Sequence, residues 1–143
     1  IASLGTTTIS QKNRLVLTGT ITTKQSQAQA SWSCATLNLT KLALTPVTTS
    51  ISFSTDTLST SFQLSLPPNA LNAGTVYTFS LVAFYESTGL STTSITLQTN
   101  AAPIGGVFTI SPTSGNAFQT SFAFQTSQWV DSTDSLPLTY LFA

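Results

Sequence analysis

Residues 76–84, VYTFSLVAF, constrain the fold more than any other stretch of this chain. Tyr77, Phe79, Leu81 and Ala83 fall on one face of an extended chain, and Val76, Val82 and Phe84 on the other. A period of two over this length suits a pleated strand and excludes an amphipathic helix. Apolar residues on both faces predict a strand in the middle of a sheet. The same period recurs at Leu15, Leu17 and Ile21, and at Phe62, Leu64 and Leu66, which run up to Pro67-Pro68. A proline pair cannot continue a ladder. Ser31–Leu39 is predicted as a strand that gives Trp32, Cys34 and Leu37 or Leu39 to the core. Leu42 and Leu44 predict a short strand ended by Pro46, and Thr93–Thr99 the last one, through Ile95 and Leu97. That makes about seven strands in the first hundred residues, with turn signals every 8–14 residues, the pattern of an antiparallel β-sandwich.

The polar surface is built without charge. Four basic and four acidic residues sum to a formal net charge of zero. About a third of the chain is Ser or Thr, a composition that could suit a disordered stalk. Disorder needs low hydrophobicity and high net charge, whereas this chain is 41% hydrophobic with nine Phe. Threonine also fits a pleated surface well. The reading is a folded β protein coated in hydroxyls. Zero net charge removes the self-repulsion that keeps molecules apart. Without a basic patch, no nucleic-acid partner is expected. No apolar run reaches the roughly 20 residues of a membrane-spanning helix. With no Met in the chain, Ile1 is not a translation start, and a processed chain or fragment is expected.

Asn100-Ala101-Ala102-Pro103 marks a boundary, and Gly105-Gly106 loosens the backbone after it. A strand at Val107–Ile110, a turn at Ser111–Gly115, a strand at Thr120–Thr126, a polar loop at Asp131–Asp134 and a strand from Leu138 to Phe142 are predicted next. Three strands do not close a sandwich. The fold class expected is therefore all-β: an immunoglobulin-like or fibronectin III-like antiparallel sandwich over residues 1–100, then an incomplete second sandwich over residues 101–143. Further chain or a neighbouring subunit would complete the latter.

Core positions are assigned to Trp32, Tyr77, Phe79 and Trp129. Leu71–Tyr77 reads as a corner whose Tyr buries its ring while the hydroxyl bonds the preceding backbone. Phe122, Phe124, Leu138, Tyr140 and Phe142 are expected to contact a subunit or the next module. The partners expected are copies of the chain, adjacent modules of a longer chain, and glycans.

The end of the chain resembles the REJ (receptor for egg jelly) module of polycystin-related surface proteins. The resemblance rests on Asn100, Pro103, Gly105-Gly106, Pro112, Gly115, Thr120, Phe122, Trp129, Asp131, Leu136-Pro137-Leu138, Tyr140 and Phe142. Leu71, Gly74, Tyr77 and Phe79 are similar to the end of the preceding repeat in that family. The resemblance implies tandem extracellular sandwiches that work in adhesion, spacing or a surface coat, often on flagellated or ciliated cells. It implies no enzyme activity. A single cysteine, where paired ones would be more comfortable, is a departure.

Little chemistry can be built from these residues. Without histidine there is no His-based triad, no imidazole metal site and no usual general base. No Gly-rich phosphate loop is present, and no cofactor or metal is expected. Asp131 and Asp134 are close in sequence. Calcium takes about 6–8 oxygens, so the pair reads better as a polar turn. Cys34 reads as a small buried hydrophobe, or as one half of a bridge to a cysteine elsewhere. Asn38-Leu39-Thr40 is an N-glycosylation sequon. Thr6-Thr7-Thr8, Thr48-Thr49-Ser50 and Thr92-Thr93-Ser94 are candidate O-glycan clusters. The function expected is structural: a glycosylated, stacked segment of an extracellular fibre or cell-surface coat. The alternative is an adhesion or carbohydrate-binding module using Tyr85 and Trp129 as stacking platforms.

Overall fold

The computed structural model describes residues 7–23, 26–53, 59–85, 89–132 and 135–142. Two compact units are present, Ile1–Asn100 and Ala101–Ala143. Each is described by itself.

Among its described residues the first unit holds seven strands: β1 (Thr7–Ile9), β2 (Leu15–Thr22), β3 (Gln27–Cys34), β4 (Thr48–Ser52), β5 (Ser59–Leu66), β6 (Val76–Tyr85) and β7 (Gly89–Thr99). One helical turn, α1 (Leu39–Leu42), lies between β3 and β4. Five strands form one sheet in the order β1-β7-β6-β3-β4, and β2 pairs with β5 in the other. The chain therefore changes sheet repeatedly, and strands far apart in sequence become neighbours. All pairs in this unit are antiparallel except β1 with β7, where Thr7–Ile9 run alongside Leu97–Thr99 in the same direction. The fold is an all-β, immunoglobulin-like or fibronectin-like sandwich.

The core lies between the two sheets because each has one face of large apolar side chains. Leu17 and Ile21 of β2 join Phe62, Leu64 and Leu66 of β5; opposite them stand Ala28, Ala30 and Trp32 of β3, alternate residues of β6, and Leu97. The rings of Trp32 and Phe62 meet with centroids 6.4 Å apart. Gly19, on the inward face of β2, makes room for this contact. A Cβ there would stand 3.1 Å from the Trp32 ring and would collide with Leu81.

β6 is central as predicted, between β3 and β7. Tyr77, Phe79, Leu81, Ala83 and Tyr85 are buried, whereas Val76 and Phe84 are exposed. Central position in a ladder buries the strand's edges, and an outer face is covered only if another layer lies on it. At the entry to β6, the Asn72 N–H donates to the Tyr77 hydroxyl at 2.9 Å. Thr99, itself buried, completes this corner. Its hydroxyl donates to the Asn72 carbonyl and accepts the Thr75 N–H at 2.9 Å.

Three strand expectations need correction. β3 spans Gln27–Cys34 rather than Ser31–Leu39, because Ala28 and Ala30 form its inward face and give only a weak hydrophobic signal. Leu42 ends a helical turn rather than lying in a strand, and that turn drives Leu39 into the core. The strand before β5 is instead β4, whose hydroxyl-rich TTSIS sequence carries little periodicity.

The second unit contains β8 (Val107–Ser111) and β9 (Ala123–Ser127), paired antiparallel as a ribbon, with a bridge between Ile104 and Val130. Residues 138–142 do not form the strand predicted for them. β9 starts at Ala123 rather than Thr120, because Thr120 is held in a turn. Its N–H donates to the Asn116 carbonyl at 3.0 Å, and its hydroxyl accepts the Asn116 N–H at 2.9 Å.

Candidate functional site

The loop carrying Asn38 and the apolar face of the β8–β9 ribbon both present groups outward. Asn38 lies in the loop after β3, at the N-terminus of α1, and not inside a strand as expected. It is exposed, while the flanking Leu39 is buried and Leu37 packs against the core. The Thr40 hydroxyl donates to the Asn38 carboxamide oxygen. The threonine of the sequon is thus already set against the carboxamide it would help to modify. Cys34 is half-buried beside this loop, its thiol 3.4 Å from the Thr36 hydroxyl.

On the ribbon, the pairing of Ile110 with Phe124 and of Phe108 with Thr126 places these four side chains on one face. Phe142 joins them. The Phe108–Phe124 centroids are 6.1 Å apart, and Phe142 stands 5.8 Å from each. All three rings keep about half of their surface: Phe108 50%, Phe124 51%, Phe142 48%. A buried aromatic contributes more than a half-covered one, so this cluster leaves apolar area in water.

Of the five residues predicted to contact a neighbour, Phe124 and Phe142 are brought together. Phe122 and Tyr140 are exposed without joining the ring cluster, and Leu138 is half-buried. Phe108 and Ile110 complete the face and were missed, because only the hairpin register aligns them with Phe124.

Trp32, Tyr77 and Phe79 sit in the core of the first unit. Trp129, expected in a core, retains 36% of its surface. A two-stranded ribbon has no second layer to bury it. Instead its ring lies directly on Gly106, where any Cβ would collide with it, and its Nε1–H donates to the Thr126 hydroxyl at 2.6 Å. Tyr85, expected as an exposed stacking platform, is buried, since it shares the inward register of Tyr77 and Phe79.

Asp131 accepts the Ser132 N–H at 2.7 Å, a local turn contact. Asp134 and Thr6 lie outside the described residues. Among the described residues, no group of three His, Cys, Asp or Glu side chains could hold a metal ion, and no helix is long and apolar enough to cross a membrane.

Neither a curated protein nor a solved structure matches the chain significantly. A protein-family model described as the REJ domain matches residues 2–143, running through both compact units. REJ domains are receptor-type extracellular modules of polycystin-like proteins and are not a known enzyme family. The seven-stranded sandwich, the ribbon that follows it, and this match together place the chain: it belongs to the REJ domain family.

Proposed function

We propose that the chain is a non-enzymatic structural module of an extracellular fibre or cell-surface coat, of the kind found on ciliated or flagellated cells, joined to its neighbours through the ribbon face. The observation that carries this reading is the half-exposed cluster of Phe108, Phe124 and Phe142, flanked by Ile110. The first unit has a closed apolar core of its own. The ribbon has an apolar side and open strand edges, which favour addition of further β structure. Additional strands of a longer polypeptide or strands of a second copy satisfy it equally well. Zero net charge opposes neither association.

Sedimentation velocity over a concentration series tests the reading. The 143-residue chain is expected to self-associate as concentration rises. Replacing Phe108 and Phe124 together by serine is expected to weaken that association about tenfold or more, the equivalent of about 1.4 kcal/mol. A chain that stays monomeric at every concentration and binds no apolar dye overturns it.

Glycosylation at Asn38 belongs to the same reading. With so few charges, glycans supply hydration that charged side chains usually provide. In a secreting eukaryotic host the chain is expected to carry one glycan removed by the Asn38→Gln substitution. An intact mass equal to the bare polypeptide refutes this.

A further inference from the structure

The outer face of the five-stranded sheet carries a shallow cleft that the structural role does not use. Its volume is about 500 Å³, and a second hollow of about 180 Å³ shares Gln29, Ser50 and Phe84 with it. The ladder sets Ser50, Gln29, Phe84 and Leu90 side by side across β4, β3, β6 and β7. Ser31 stands beside Val82 in the adjacent row, and Gln27 beside Ser52 on the other side. Phe84 keeps 44% of its surface and Leu90 71%. None of the described residues lining either hollow is ionisable.

We infer that this cleft binds a neutral oligosaccharide, with Phe84 as the apolar platform and Gln27, Gln29 and Ser50 as the hydrogen-bonding groups. Three properties select this ligand class. The described lining residues offer a charged partner no opposite charge to offset its desolvation. A wholly apolar partner would bury the Gln amides and Ser hydroxyls unsatisfied, at about 1–3 kcal/mol for each group. A pyranose has an apolar C–H face and a rim of hydroxyls, and so answers both halves of the surface. Each Gln carboxamide supplies donors and an acceptor together, which a hydroxyl can match in either sense. The two hollows follow β3 from Gln27 to Ser31, a span of roughly 13 Å at the rise of an extended strand. That length fits a short oligosaccharide rather than a single sugar.

The test uses the 143-residue chain titrated with maltotriose, cellotriose, mannotriose and chitotriose at millimolar concentrations, read by amide chemical shifts. For at least one sugar, shifts are expected to concentrate in residues 27–31, 48–52 and 82–85. Phe84→Ala is expected to weaken that binding about tenfold with unchanged circular dichroism. Gln29→Ala, at an exposed position, should weaken it too, and provides the test if the Phe84 variant does not fold. Thr96→Ala, an exposed site bonded to Thr78 on the same sheet, should leave binding unchanged. Absence of shifts with every sugar overturns the inference, as do shifts that survive both cleft variants. So does concentration-dependent shifting of the same amides without sugar, abolished by Phe84→Ala, which would make this face a contact between copies.

Discussion

Replacing Phe79 by alanine destabilises the sandwich by about 3–5 kcal/mol, the range for deleting a fully buried aromatic. No part of Phe79 reaches solvent. It stands in β6 between Cys34 of β3 and Ile95 of β7, and its ring lies 6.3 Å from that of Tyr77. Its neighbours are held by ladders on both sides and cannot collapse into the space, so the cavity persists and adds to the lost transfer free energy. For a unit of about a hundred residues, a loss of this size lowers the melting temperature by roughly 15–30 °C. The chain has two tryptophans, Trp32 in the first unit and Trp129 in the second. In a Trp129→Phe background, Trp32 fluorescence therefore reports the sandwich alone. Phe84→Ala, on the same strand with its side chain outward, should cost about 0.5 kcal/mol or less. Equal losses at the two positions would refute the assignment of inner and outer faces.

The second large effect is at the corner that starts β6. Tyr77→Phe keeps the ring and removes the acceptor of the Asn72 N–H, with an expected cost of about 1–2 kcal/mol. Thr99→Val keeps the volume but strips the Thr75 N–H of its acceptor and the Asn72 carbonyl of its donor. Because Thr99 is 1% exposed, water cannot easily replace either bond, and about 1–3 kcal/mol is expected. Both side chains grip the same residue, Asn72, from its N–H and its C=O. Their losses should not add: a double-mutant cycle is expected to give a coupling of about 0.5–3 kcal/mol. Denaturant midpoints of the two single variants and the double variant, followed by Trp32 fluorescence, measure it. Strict additivity would show that the two bonds act independently.

The strands with large alternating residues were legible because hydrophobic burial on one face writes itself into every second position. β2, β5 and β6 are of this kind, and the Tyr77 corner was readable from its place before a long strand. β3 and β4 were not. Ala28 and Ala30 bury little area each, and Thr48–Ser52 alternates hydroxyls with hydroxyls. Thr99 was also hidden, since among so many threonines nothing local distinguishes the one whose hydroxyl is buried. The ribbon's contact face was half visible: Phe124 and Phe142 stood out as large apolar residues, while Phe108 and Ile110 were assigned to an ordinary strand.

Residue type and spacing by themselves determined that this chain is all-β and that no histidine-based chemistry is possible, and they predicted a boundary at Asn100–Pro103. These follow from local periodicity, backbone restriction and composition, each a property of neighbouring residues. Which strands pair, which face of β6 meets solvent, and which aromatics gather on one surface were decided only by tertiary structure. Phe84 and Tyr85 show the difference: adjacent in sequence and similar in chemistry, one lines an open cleft and the other is buried in the core. The pleat sends them to opposite faces, but only the position of the second sheet makes one of those faces an interior.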